Sequence, residues 1–270
     1  MMSLPDFPSE LLIYGCGNMG GAMLRGWLAA GVAASRFTVV DPVADGLPQG
    51  VSVHRTATEL DRKFDAVLLG IKPQMLGSLA PEIARLLARD ALVISILAGS
   101  ETATLSTHFP GAKIVRLMPN LAAAIGKSPL GLFSKALDEE GKVQLELTLD
   151  PLGTAIWLNE ESQMDAVTAL AGSGPAFVYR FIDALAKGGV ATGLPQNVAA
   201  TLAMAMVEGA AALAATSGES PAELAARVTS PGGTTAAGLA ILDNDDALEK
   251  LVTATLQAAR DRGAELAKGE

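Results

Sequence analysis

Leu11-Leu12-Ile13-Tyr14-Gly15-Cys16-Gly17-Asn18-Met19-Gly20 decides the architecture of the first half of the chain. Four successive apolar residues suit a strand buried on both faces, and Met19, Ala22, Met23, Trp27 and Ala30 then recur at helical spacing. The glycines between them have separate reasons. Gly15 permits a tight strand-to-helix turn, Gly17 lets the backbone approach a pyrophosphate, and Gly20 allows the helix to pack closely on the sheet. The helix start adds open amides and a positive dipole end. Gly31 stands where a left-handed residue would close the helix. A bare Gly-x-Gly-x-x-Gly is only a turn; strand before and amphipathic helix after make it a dinucleotide fingerprint.

Working outward, short apolar runs at Phe37-Val40, Ala66-Ile71, Leu92-Leu97, Ile114-Met118 and Ala155-Leu158 alternate with helical patterns, and most end in Gly, Pro, Asp or Asn. That alternation is the mark of an α/β domain with a mainly parallel sheet. Asp41 follows Gly20 by 21 residues at the end of the second strand. An acidic side chain there accepts hydrogen bonds from a ribose 2'-hydroxyl and repels a 2'-phosphate, which favours NADH, although Asp41-Pro42 equally suits a turn. In Gly70-Ile71-Lys72-Pro73, Lys72 ends a strand, where it would meet cofactor phosphate or ribose or else face solvent. Val143, Leu145, Leu147 and Leu149 alternate with polar residues as a strand does, inside charged flanks that suit a helix.

From Glu161 onward strand signals stop, and Ala-rich runs are punctuated by Gly-Leu-Pro at 193–195, Ser-Gly-Glu-Ser-Pro at 217–221 and Ser-Pro-Gly-Gly at 230–233. The chain therefore divides into an α/β domain over 1–160 and an all-α domain over 161–270. Val198 to Ala215 is apolar on nearly every face, which predicts a buried central helix. A small helical domain encloses such a helix most readily by interlocking with its copy in a dimer.

Composition narrows the function classes. The 270 residues carry a formal charge of -9 and a pI near 4.8, which argues against nucleic acid or an anionic membrane as a partner. Mean hydropathy is +0.35, yet Gly, Glu, Lys or Pro breaks every long apolar run early, so no membrane span is expected. Met1 to Glu10 lacks the pattern of an export signal. One cysteine, Cys16, and two histidines, His54 and His108, make no metal-ligand spacing, and a lone thiol fits a reducing, cytoplasmic setting.

Two later segments place small hydrogen-bonding residues at helix starts. In Ala171-Gly172-Ser173-Gly174-Pro175, Ser173 suits an N-cap ahead of a helix over Ala176-Lys187. In Thr229-Ser230-Pro231-Gly232-Gly233-Thr234-Thr235-Ala236, two glycines expose amides and two threonines follow, a turn able to cradle a carboxylate without a lysine. Each read alone is also ordinary capping.

These residues carry a family resemblance. Gly15 to Gly20, Ile71-Lys72-Pro73-Gln74, Arg116-Leu117-Met118-Pro119-Asn120, Asp165 to Ala176 and Val228 to Thr235 occur in the order and spacing of the pyrroline-5-carboxylate reductases, which the chain resembles over almost its full length. The last two segments are the specific ones, because other nucleotide-binding dehydrogenases share only the glycine motif. The resemblance implies a Rossmann-like domain followed by an all-α dimerisation domain that interlocks with its partner. Many relatives join dimers into rings. It implies reduction of 1-pyrroline-5-carboxylate to L-proline by NADPH or NADH, with the substrate between cofactor and helical domain, and no metal. It also favours helix over 138–150.

Carried over by position, Gly15, Cys16, Gly17, Asn18, Met19, Gly20, Gly70, Ile71, Lys72, Pro73, Ala98, Gly99 and Asn120 line the cofactor. Ser173, Gly232, Gly233, Thr234 and Thr235 meet the substrate with Glu161 nearby, and Thr235 and Ser173 are the candidate catalytic residues. No histidine is needed if the substrate arrives as an iminium. Leu121-Ala122 departs from the family's frequent Thr-Pro, Thr56 or Ala57 stands where an Asn is frequent, and Ala171 replaces a Ser. A β-hydroxyacid dehydrogenase would need a lysine in the second domain, but Lys187, ahead of Gly188-Gly189, reads as a partner for a helix C-terminus. A redox sensor binding NAD(H) without turnover has no use for the carboxylate cradle.

Overall fold

The computed structural model describes residues 8–268. Most of the reading that Met1 to Glu10 carries no export signal thus lies outside the described residues. Eight strands form one sheet: β1 (Leu11–Tyr14), β2 (Phe37–Val40), β3 (Ser52–His54), β4 (Phe64–Leu69), β5 (Leu87–Ser95), β6 (Lys113–Met118), β7 (Ser128–Phe133) and β8 (Gly153–Trp157). Their order is β3-β2-β1-β4-β5-β6-β7-β8, and every pairing is parallel except β6 with β7. The α/β reading of this half holds. Leu11 and Ile13 enter one core layer with Met23, Trp27 and Val39, while Leu12 and Tyr14 enter the opposite layer with Val40, Leu69 and Phe109. An all-apolar β1 is the result of burial on both faces.

The helices are α1 (Asn18–Ala29), α2 (Leu76–Arg85), α3 (Thr102–His108), α4 (Glu139–Leu149), α5 (Met164–Val167), α6 (Gly174–Ala191), α7 (Gln196–Thr216), α8 (Pro221–Arg227), α9 (Thr234–Leu242) and α10 (Ala247–Lys268). Chain contacts divide them into a unit running to Gly172, which also takes in the chain from Ala259 on, and a unit spanning Ser173–Ala258. The boundary by contact thus falls later than the loss of strand signal at 160/161. Met164 explains the difference, because it packs with Met118 and Phe133 of the sheet.

Two strands escaped the sequence reading. β3 is a short, largely exposed edge, and β7 contains Pro129 and Gly131, which ordinarily argue against a strand. Gly131 has its own reason: a Cβ there would stand 2.5 Å from Val167 Cγ1. The ambiguous stretch is helix α4, capped by Asp138, whose Oδ1 accepts from the Gly141 amide at 2.9 Å. Its alternating pattern hides two helical pairs, since Leu145 and Leu149 are buried while Val143 and Leu147, also four apart, face solvent.

α1 closes as expected at Gly31 (φ +91°), with Gly31 and Val32 amides donating to Leu28 and Trp27 carbonyls. Trp27 Nε1 donates to the Thr148 carbonyl at 2.8 Å and so ties α1 to α4. Gly26 lets the Leu121–Ile125 turn lie directly on α1, because a Cβ there would meet Ala123 O at 2.1 Å and Leu152 Cδ2 at 2.6 Å. Although alanine favours helix, Gly26→Ala is expected to destabilise the fold by about 2–3 kcal/mol through this overlap. The check is the urea midpoint; a midpoint that stays or rises would mean the turn moves aside freely.

In the second unit α6 does not stop at Gly188-Gly189. It continues to Ala191 and ends before Gly193 (φ +107°), because a Cβ at Gly189 would be 3.2 Å from that of Ala199 and the glycine thus serves close packing with α7. Lys187 accordingly pairs with Asp183 at 2.7 Å, one turn back, and not with a helix end. α7 bears on two expectations. It is long and apolar enough, by length and composition alone, to cross a membrane, and within one chain only Ala199 and Ala203 of it are buried. Leu202 and Met204 are each 53% exposed, so the enclosure expected of a central helix is not supplied by its own chain.

Candidate active site

The sheet order reverses direction at β1 and β4, with β2 and β3 on one side and β5 onward on the other. Ligands of open α/β sheets bind at the carboxyl ends of strands beside such a reversal. Gly15 to Gly20, Asp41, Gly70 to Pro73, Ala98, Gly99 and Asn120 all follow the carboxyl ends of β1, β2, β4, β5 and β6. Gly15 (φ +89°) and Gly70 cross here at closest backbone approach: a Cβ on Gly15 would lie 2.7 Å from Gly70 C and O, and one on Gly70 2.3 Å from Gly15 O. Gly20 is equally tight, with 2.7 Å to Gly15 O. Gly17 has nothing within 4 Å of its Cβ position and opens α1 without a side-chain cap. An uncapped helix start with clear space before it fits a pyrophosphate.

Asp41 is 7% exposed, and its Oδ2 accepts from the Cys16 amide at 2.7 Å while Oδ1 accepts from Val43 N at 2.9 Å. Turn former and glycine-loop partner are thus one residue. Arg55 Nη1 donates to the carbonyls of Pro42 (3.2 Å) and Ala44 (2.6 Å), which pins the following loop. Burial, then Asp41, pushes the Cys16 thiol up to about 11 against a smaller opposing effect of Arg25, so it stays protonated. Lys72 is exposed and forms no ion pair among the described residues.

Ala98 and Gly99 (φ +73°) form the turn after β5. Asn120 is 5% exposed, and its carboxamide is committed to the chain: Oδ1 accepts from Ala122 N at 2.9 Å and Nδ2 donates to Ala171 O at 3.0 Å. Glu161 is likewise engaged, accepting the Thr102 amide and hydroxyl at 2.6 Å each and Arg116 Nη1 at 3.0 Å. Burial alone would raise the Glu161 carboxyl, but the Thr102 bonds and Arg116 outweigh it and hold its pKa below the ordinary carboxylate value. The stability this contributes is present above the ordinary carboxylate range and is lost as pH falls through the lowered pKa. Thr102 and Arg116 went unassigned in the sequence; the available signal was a charge inside the apolar run Ile114-Met118.

In the second unit the Ser173 side chain makes no capping bond, because α5 passes through a π turn (Thr168–Gly172) into α6 and leaves no true helix start. Its hydroxyl has no partner among the described residues. Pro231 and Gly232 (φ +69°) form a turn in which Gly233 N donates to Ser230 O at 3.0 Å, so the Gly233 amide is occupied within the chain. Gly233 is instead the N-cap of α9, also without a side-chain bond. Among the described residues the amides of Thr234, Thr235 and Ala236 have no backbone partner, and neither threonine hydroxyl has a hydrogen-bond partner. Of the two glycine amides only that of Gly233 is taken; the Gly232 amide has no backbone partner among the described residues, and the open set continues at Thr234 to Ala236.

Residues 161–266 match the family described as pyrroline-5-carboxylate reductase dimerisation, and residues 11–99 match NADP oxidoreductase, coenzyme F420-dependent. Pyrroline-5-carboxylate reductase from Glycine max is 36% identical over 96% of this chain and 98% of its own length. That from Pseudomonas aeruginosa is 35% identical over 96% and 97%. A pyrroline-5-carboxylate reductase structure from Coxiella burnetii superposes with a TM-score of 0.88 at 30% identity, covering 96% and 98%. The Plasmodium falciparum pyrroline carboxylate reductase with NADP bound gives 0.83 at 27% identity, covering 96% and 98%. Sequence and fold agree over 96% of the chain, which belongs to the pyrroline-5-carboxylate reductase family.

Proposed function

We propose that this protein reduces 1-pyrroline-5-carboxylate to L-proline, the last step of proline synthesis, with NADH or NADPH as reductant. The observation that carries the reading is the start of α9, where three amides and two hydroxyls stand without partners among the described residues, in a chain that also has an open glycine turn at its sheet reversal. A cyclic imine acid needs an anchor for its carboxylate, a donor of hydride at the C=N carbon and a proton at nitrogen. The amides of Thr234, Thr235 and Ala236 hold the carboxylate by charge-assisted bonds at the positive end of α9. The Thr235 hydroxyl contacts the imine nitrogen, Ser173 offers a second hydroxyl, and Gly15 to Gly20 with Gly70 to Pro73 hold the dinucleotide. Bound NAD(P)H supplies the hydride. No acid is required of the protein when the substrate binds as an iminium, so its contribution is mainly orientation. Optical measurement of NADH and NADPH oxidation with five- and six-membered imine acids tests this; no turnover of the five-membered substrate would remove the assignment.

Asp41 is the proposed arbiter of the cofactor. Its carboxylate is already fixed against the glycine turn, where it accepts from a ribose 2'-hydroxyl and repels a 2'-phosphate. Asp41→Ser is expected to shift the kcat/KM ratio toward NADPH by about ten- to a hundredfold, the worth of one charge-assisted bond. An unmoved ratio would leave Asp41 as a turn former only.

The working form is proposed to be a homodimer that covers α7, with a ring of such dimers as its further assembly. Its exposed apolar faces and the match of 161–266 to a dimerisation family support this. Sedimentation showing a stable active monomer would refute it. A cytoplasmic site accords with the single free cysteine.

A further inference from the structure

Glu161 joins three segments distant in sequence: the start of α3, the middle of β6 and the turn that follows β8. Its carboxylate does for α3 what the helix's own N-cap does not. Glu101 makes no side-chain capping bond, and the Thr102 amide, first in the helix, is taken by Glu161 instead. The arrangement is an expensive way to hold a sheet to a helix. The Arg116 side chain is 5% exposed, and its Nε has no hydrogen-bond partner among the described residues. An unpaired buried donor costs about 1–3 kcal/mol, and apolar side chains of similar volume would bind the same segments without it.

What the ion pair adds over apolar contact is direction. It fixes the first residue of α3 within hydrogen-bond tolerance, and only Ser100 and Glu101 separate that residue from Ala98 and Gly99. A polar cavity of about 170 Å³, lined by Gly99, Glu101, Arg116, Glu161, Ser162 and Asp165, lies between the turn and the ion pair, so the two face each other across it. Buried Leu97, whose amide donates to Ser95 Oγ at 3.3 Å, holds the β5 end of the turn, and the Thr102 bonds hold its α3 end. With the pyrophosphate at the β1 turn and the adenosine half on the β2 side, the remaining half of the dinucleotide extends over the ends of β4, β5 and β6. The Ala98–Gly99 turn is at the end of β5.

Resting on the reductase reading above, we infer that Thr102, Glu161 and Arg116 form a strut that positions the Ala98–Gly99 turn against the nicotinamide end of bound NAD(P)H. All three are positioning residues, and Glu161 acts through Thr102 rather than on the substrate.

The test uses the full chain with NADH and with ADP-ribose, which shares the adenosine and pyrophosphate but lacks the nicotinamide. Glu161→Ala is expected to weaken NADH about tenfold while ADP-ribose stays within about twofold, and to lower kcat about 10- to 100-fold, the scale of an ångström of misplacement. Glu161→Gln, which still accepts from the Thr102 amide and can meet its hydroxyl, is expected to recover most of both. Equal loss of the two ligands, or no loss of either at unchanged kcat, overturns the strut. So does a Gln variant as impaired as the Ala variant, since charge and not geometry would then be at work. Should Glu161→Ala not fold, Thr102→Val removes one bond and is expected to show the same split at about three- to tenfold. Absence of turnover in the unaltered chain would remove the reductase reading, while the ligand split would still decide the strut.

Discussion

Gly15→Ala is expected to abolish measurable nucleotide binding and to destabilise the sheet. The added Cβ would lie 2.7 Å from Gly70 C and O and 2.8 Å from Ile71 N, all of them backbone atoms that cannot rotate away. At φ +89° the residue also lies where an L side chain is strained. Left-handed backbone costs roughly 1–2 kcal/mol and an overpacked core about 1–3 kcal/mol, so a loss of about 2–5 kcal/mol is expected. Relief would come from separating the β1 and β4 turns, the two segments that frame the proposed pyrophosphate site. Affinity for NADH is therefore expected to fall more than a hundredfold, beyond what the stability loss alone brings about. Calorimetric titration of the folded variant provides the check. Near-normal NADH affinity would mean that the turns tolerate separation and that the pyrophosphate lies elsewhere. Gly17→Ala, with nothing within 4 Å of its Cβ position, is the contrasting variant: it should fold normally and lose affinity only through the ligand.

That contrast also marks what was legible in the sequence. Gly15, Gly17 and Gly20 were readable because each answers a local steric need, and the short strands were readable because double burial leaves unbroken apolar runs. Long-range needs were not. Thr102 and Glu161 are 59 residues apart and Arg116 and Glu161 are 45 apart, and no local pattern announces that one carboxylate serves both. Gly188-Gly189 read as a helix end because glycine usually marks one; the actual demand was the approach of Ala199, which only the fold supplies. Ser173 read as a cap for a similar reason, and the π turn before it removed the helix start that a cap would serve. At α9 the two glycines drew attention to their own amides, whereas the turn they build uses the Gly233 amide and leaves the next three open. The burial of α7 follows a different logic: its apolar faces were read correctly as needing cover, but one chain does not provide it.

Thr235→Ala is expected to reduce kcat by about 10²- to 10³-fold, the usual effect of losing one donor aimed at a reacting centre, with NADH affinity unchanged. Thr235 occupies the second position of α9, and its hydroxyl has no partner among the described residues, so the substitution breaks no bond there. Alanine is the better helix former, and the fold should be unharmed or slightly firmer. The three open amides also remain, so the carboxylate anchor persists and the KM for the imine should rise little. An interaction made at the imine nitrogen strengthens as that nitrogen's charge changes during reduction, which places its loss in kcat and not in ground-state binding. Thr235→Ser, which retains the hydroxyl, should recover most of the rate. A rise in KM at constant kcat would instead assign Thr235 to the carboxylate, leaving Ser173, whose hydroxyl also has no partner among the described residues, as the group to test at nitrogen.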